Sequence, residues 1–202
     1  MLVPFLCDHF LGSGFFRRLP SLLYISRFVP GTYSTMCQYD LAVGNHPFSK
    51  LKERTPEIKL SLASNANPVT NNLSEMFLKK CIHCSGCVAL VLNKTLLSTD
   101  EFEDTRNLLR QMRIETIIYF DRYGFTGVSI ETMCLIVYPK MKPKETTVYS
   151  MKLNRKSVWE QSYLTDKRFP YFIIYRDEEF DAVADKLEFN VFSVFRDRQI
   201  TK

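Results

Sequence analysis

The 202 residues suffice for one ordinary domain with a short appended piece. An apolar fraction of 46% with 13% aromatics excludes a disordered chain, and a net charge of +5 permits contact with nucleic acid without requiring it. No apolar run reaches the roughly 18 residues that cross a membrane. The apolar start is broken by Asp8 and Arg17-Arg18 and lacks signal-peptide order, so the six cysteines read as reduced thiols of a cytoplasmic protein.

Tyr39-Asp40-Leu41-Ala42-Val43-Gly44 is a short apolar run ending in a turn, which predicts a buried parallel strand. From Leu51 to Asn72 the chain is polar and rich in Asn, Ser, Thr and Pro, the composition of a long loop. Ser74 is the expected cap of a helix through Lys80, with Ser85-Gly86 as its stop. Cys87 to Leu92 predicts a second buried strand. Ser98-Thr99-Asp100 opens a helix whose apolar stripe is Phe102, Leu108, Leu109 and Met112.

Ile114–Phe120 and Ile130–Tyr138 read as strands joined by a connection too short for a crossover helix, hence an antiparallel pair. Thr146–Leu153 is a further strand, Asp177–Leu187 a short amphipathic helix, and Phe189–Phe195 an alternating strand. Strand, helix, strand, helix, strand, strand is the order of an α/β sheet with an antiparallel end.

Three features could carry chemistry. Between Lys140 and Lys156 lie six basic residues and one acid, Glu145. This is either a phosphate-facing patch, nominating Lys140 and Lys142 for substrate binding, or a solvated strand pair with lysines guarding an edge. Cys81-Ile82-His83-Cys84-Ser85-Gly86-Cys87 has the spacing of a metal knuckle, but His83 lies between the first two cysteines, poor geometry for one tetrahedral site. No metal is expected there. The third feature is Asn45-His46-Pro47-Phe48, directly after the first strand.

That loop resembles the catalytic loop of amino-group methyltransferases, usually Asn or Asp, Pro, Pro, then Tyr or Phe; His46 replaces the first Pro. The resemblance extends downstream. Ser85 to Leu97 is similar to the family's next strand, with Asn93 at the usual Pro, and Phe102 to Leu109 to its next helix, with Arg106 at the usual Arg. Ile114 to Thr132 looks like the strand, aromatic-Gly turn and Ile-Glu-Thr strand of adenine-specific (N6) DNA methyltransferases of restriction–modification systems. Arg196-Asp197-Arg198-Gln199-Ile200 resembles the entry to their target-recognition region.

The resemblance implies a partial Rossmann-like methyltransferase sheet. It implies a catalytic part over 39–156 and the start of a target-recognition or connecting region over 157–202. It implies methyl transfer from S-adenosylmethionine to the exocyclic amine of an adenine flipped from double-stranded DNA, with a cognate restriction endonuclease as partner. The roles it assigns are Asn45 to polarise the amine, Pro47 to shape the loop and Phe48 to stack on the base. An aromatic in the strand–strand turn can line the base pocket, which nominates Phe125; a buried Phe in a hairpin turn is the plain alternative.

Asp8-His9-Phe10-Leu11-Gly12-Ser13-Gly14 resembles the family's cofactor loop, usually Asp-Pro-Phe-x-Gly-x-Gly, and nominates Asp8, Gly12 and Gly14. About 30 residues separate Gly14 from Asn45, too few for two strand–helix units, so residues 1–38 are expected to be a shortened cofactor part or unrelated sequence. His46, the missing middle strands and the abrupt end motivate a second reading, an inactive remnant that at most binds DNA. A third is a methyltransferase of RNA or of a protein glutamine, since the loop recurs there.

Overall fold

The computed structural model describes residues 22–24, 39–45, 48–50, 53, 56, 71–121 and 130–188. They form one seven-stranded sheet. The strands are β1 Leu22–Tyr24, β2 Tyr39–Asn45, β3 Ser85–Asn93, β4 Arg113–Asp121, β5 Thr132–Tyr138, β6 Glu145–Ser150 and β7 Arg155–Glu160. The helices are α1 Leu73–Cys84, α2 Glu103–Leu109, α3 Gln161–Leu164 and α4 Glu178–Ala184. Spatial order is β1-β2-β3-β5-β4-β6-β7. β1, β2 and β3 are mutually parallel, β5 runs against both β3 and β4, β6 is parallel to β4, and β7 runs against β6.

Direction sorts the chain onto two edges. The carboxyl ends of β1, β2, β3, β4 and β6 share one edge with the starts of β5 and β7. The opposite edge carries the start of β2 and the whole β5–β6 connection. The antiparallel β4–β5 pair is the expected one, since the ten residues between Asp121 and Thr132 are too few for a crossover.

Alternation along the strands builds two apolar layers. Val88, Leu90 and Leu92 of β3 join Met133, Leu135 and Val137 of β5 and Ile117 and Tyr119 of β4 on one face. There α1 adds Leu78, Cys81 and Ile82, α2 adds Leu109, and Leu164, Phe172 and Ile174 close the layer. The other face gathers Leu41, Cys87, Val91, Ile118, Phe120, Cys134 and Ile136. Cys81 and Cys87 therefore face opposite layers and cannot share a metal. Burial pushes their thiols up, to about 12 and about 11.

Several expected boundaries shift. The cap of α1 is Asn72, whose side chain accepts from the Ser74 N–H at 3.0 Å, while Ser74 is buried inside the first turn. Gly86 does not stop the helix. α1 ends at Cys84, and Gly86 lies in the extended backbone of β3 beside the Asp40 carbonyl. The helix expected from Ser98 begins as a 3-10 turn, Asp100–Phe102, before α2. β7 is an element beyond those expected, and the boundary between 156 and 157 cuts through it; the segment beyond packs into the same core. The strand expected over Phe189–Phe195 lies outside the described residues. Among the described residues no helix is long and apolar enough to cross a membrane.

Buried polar groups weld the later segment to the sheet. The β4–β6 register begins only at Thr116, and ahead of it Gln161 Oε1 accepts from the Ile114 N–H at 2.8 Å. Gln161 Nε2 donates to the carbonyls of Leu109 and Met112. Arg106, fully buried, donates to the carbonyls of Leu96, Thr99 and Pro170, with its guanidinium 5.3 Å from the Tyr171 ring.

Candidate active site

Asn45 is the last residue of β2 and is exposed at the carboxyl edge, opposite Val91 of β3. Ligands of open α/β sheets bind at this edge. The loop after it is held at its far side by backbone. The Leu73 N–H donates to the Ser49 carbonyl at 3.1 Å, and Lys50 bridges to Asn72 in antiparallel fashion. Lys50 Nζ also lies 3.2 Å from Glu101. Asn45 is thus held by β2, and Ser49 and Lys50 by the start of α1. Phe48 is half-buried and packs against the layer of Leu41, Cys87 and Val91. Pro47 and His46 lie outside the described residues, as do Phe125 and the cofactor-loop candidates Asp8, Gly12 and Gly14. Those last three also precede β1, whereas the segment leaving the carboxyl end of β1 starts at residue 25.

The structure does not bring Lys140 and Lys142 to this site. Both are exposed on the β5–β6 connection at the opposite edge. A six-residue strand separates the edges by roughly 20 Å.

A second polar group on the carboxyl edge has no counterpart among the sequence motifs. Lys94 Nζ lies 2.8 Å from Glu131 Oε2 and donates to the Tyr119 hydroxyl at 3.3 Å. The Tyr119 hydroxyl donates to Glu131 at 2.9 Å and approaches Asp121 at 3.3 Å. Asp121 is buried, adopts φ 56°, and pairs with Lys152 at 3.2 Å. Burial first, and the Glu131 hydrogen bond second, push the Tyr119 phenol above its usual range. Hydrogen bonds from Lys94 and Tyr119 hold the Glu131 carboxyl below its ordinary value. Near neutral pH Tyr119 is therefore a neutral donor to an ionised carboxylate. Asp121 and Glu131 stand at the two stems of the 122–129 connection, so the group ties both stems to the end of β3. Its members are scattered from Lys94 to Lys152, and only the Ile-Glu-Thr resemblance around Glu131 points near it.

A family model described as N-6 DNA Methylase matches residues 28–190. The chain belongs to the N-6 DNA methylase family. The match leaves Asp8, Gly12 and Gly14 outside it and includes Asn45, Phe48 and the sheet from β2 to β7. No curated protein sequence matches the chain.

Among solved structures, the type IIG restriction endonuclease BpuSI is similar in fold. Its TM-score is 0.51 at 14% identity, over 73% of this chain and 22% of that one. The methyltransferase subunit of a type I restriction-modification system from Streptococcus thermophilus gives 0.48 at 17% identity, over 79% of this chain and 33% of that one. The EcoKI M protein of a type I restriction enzyme gives 0.46 at 18% identity, over 57% and 26%. This N-6 DNA methylase chain spans between about a fifth and a third of the length of these three proteins.

Proposed function

We propose that the chain is the catalytic part of a DNA methyltransferase that transfers a methyl group to the exocyclic amine of adenine. The observation that carries this reading is the position of Asn45. It ends a parallel strand at the carboxyl edge, exposed, with Ser49 tied to the start of α1 shortly after it, in a chain of the N-6 DNA methylase family.

The chemistry needs such a group. The lone pair of an adenine amine is delocalised into the ring and attacks poorly. The Asn45 side-chain oxygen would accept one amine N–H and the carbonyl of His46 the other, drawing the nitrogen toward tetrahedral geometry. Pro47 would fix the turn, and the exposed part of Phe48 would rest on the flipped base. S-adenosylmethionine would supply an electrophilic methyl carbon. The amine nitrogen, aligned by Asn45 and the His46 carbonyl, would take that methyl carbon and give up its proton to solvent. No described side chain is assigned to hold it.

Double-stranded DNA with a flipped adenine is the substrate of this reading, and a cognate restriction endonuclease its partner. One observation favours a rival: His46 stands where a proline would stiffen the turn. In that rival the chain is an inactive remnant that at most binds DNA. Labelled methyl transfer into duplex DNA separates the two. Transfer that falls by a factor on the order of 10² to 10³ in Asn45→Ala supports the enzyme. Transfer that persists in that variant rejects Asn45. A folded chain that transfers no label and binds no S-adenosylmethionine in calorimetry leaves the remnant.

A further inference from the structure

The basic run from Lys140 to Lys156 is divided by the fold. β6 is parallel to β2, β3 and β4, so its turn into β7 lies on the carboxyl edge with Asn45. That turn carries Lys152, and β7 opens with Arg155 and Lys156, both exposed. Lys140, Lys142 and Lys144 lie at the other edge. Each group has three cations, so charge alone does not choose between them. Placement relative to Asn45 does.

The turn is built rather than loose. The Met151 N–H donates to the Tyr119 carbonyl at 3.0 Å, the Leu153 N–H to Ser150 Oγ at 3.3 Å, and the Tyr149 hydroxyl to Asn154 Oδ1 at 3.1 Å. Asn154 adopts φ 45°, a left-handed conformation that asparagine tolerates. Lys152 reaches Asp121 at 3.2 Å while its side chain stays 58% exposed. Arg155 lines a groove of about 210 Å³ with Ser150, Leu153, Ser157 and Tyr175. Met151 and Leu153, 41% and 56% exposed, flank Lys152.

We infer that this turn, residues 151–156, is a phosphate-binding contact for duplex DNA. The inference rests on the reading that the chain acts on DNA. Lys152 and Arg155 meet backbone phosphates of the same duplex whose base the Asn45 loop takes, and Leu153 lies against the adjoining groove. Four strand spacings separate β2 from β6, roughly 19 Å. That is about six base pairs at 3.4 Å per step, so one duplex can span both. The lysines of the opposite edge take no part.

The test is fluorescence anisotropy of a mixed-sequence labelled duplex with the full chain across a salt series. Lys152→Ala with Arg155→Ala is expected to weaken binding roughly tenfold and to flatten the salt slope by about 2, one step per phosphate lost. Lys140→Ala with Lys142→Ala is expected to leave both unchanged. Arg155→Ala alone keeps the test if loss of the Lys152–Asp121 pair disturbs folding, and its slope should flatten by about 1. Binding unchanged in the turn variants, or equally weakened in the lysine pair of the other edge, overturns the proposal. A chain that methylates DNA yet binds it normally without Lys152 and Arg155 overturns only this proposal. A chain that binds no duplex at all overturns the DNA reading with it.

Discussion

The two flanks of the carboxyl edge are held in different ways. Around Asn45 the restraints are mainly backbone: the β2 ladder on one side, and the Ser49–Leu73 hydrogen bond and the Lys50–Asn72 bridge on the other, with the Lys50–Glu101 pair exposed and Phe48 half-buried. Around Tyr119 they are side chains, Lys94, Glu131, Asp121 and Lys152 converging from four segments. A functional side chain on a backbone-held turn stays exposed and can be exchanged without loss of fold. A side-chain network fixes its surroundings but carries their stability. Chemistry and cohesion should therefore separate in variants along one sheet edge.

The sharpest way to break this comparison is Asn45→Ala. If the turn is backbone-held, methyl transfer should fall by a factor on the order of 10² to 10³ while the denaturation midpoint stays put. A large loss of stability would mean that Asn45 holds the fold.

Arg106→Ala should do the reverse. It strands the carbonyls of Leu96, Thr99 and Pro170 and empties a fully buried volume, for a loss of about 3 kcal/mol in urea unfolding. Residual folded protein at low temperature should still transfer methyl groups. An exposed-type effect, under about 0.5 kcal/mol, would show that the observed clamp is idle.

Tyr119→Phe sharpens the other flank. The ring stays in the apolar layer and only the hydroxyl goes, so the expected cost is about 1 kcal/mol. Glu131 then loses one of the two hydrogen bonds that hold its carboxyl down, and its titration, followed by carboxyl NMR, should move upward. A titration that does not move would remove Tyr119 from the network.

The same contrast explains what can be read in advance. β3, β5 and the second half of β4 are apolar runs buried on both faces, β2 is a shorter apolar run with Leu41 and Ala42 at its centre, and their residue types alone predict them. The Asn45 turn is contiguous, so a resemblance can find it. β7 is not legible because Arg155-Lys156-Ser157-Val158-Trp159-Glu160 is an edge strand with four exposed positions, and no apolar period marks it. Asn72 is hidden as a cap because Ser74, two residues on, is an equally good capping residue and only the backbone angles decide. The Tyr119 group spans Lys94 to Lys152 and exists only after the sheet brings β3, β4, β5 and β6 together. The splitting of the basic run likewise needs the strand directions, which composition does not contain.

The smallest effect concerns acid. Asp166 accepts from Arg168 and from Arg176, which also pairs with Asp181, and these bonds fasten the segment before α4. Burial acts to raise the Asp166 carboxyl, but the arginine hydrogen bonds outweigh it and hold it at about 2, from an ordinary 3.8. A depressed folded value means that the stabilisation is complete above the unfolded value and fades as pH falls through the folded one. The segment should therefore loosen between about pH 4 and pH 2. Amide exchange over 163–185 in that window should rise before exchange in β3 and β5. Asp166→Asn should show the faster exchange already at neutral pH, with no further step on acidification. If the variant still shows the step, another carboxylate carries it, and Asp181 is the next to replace.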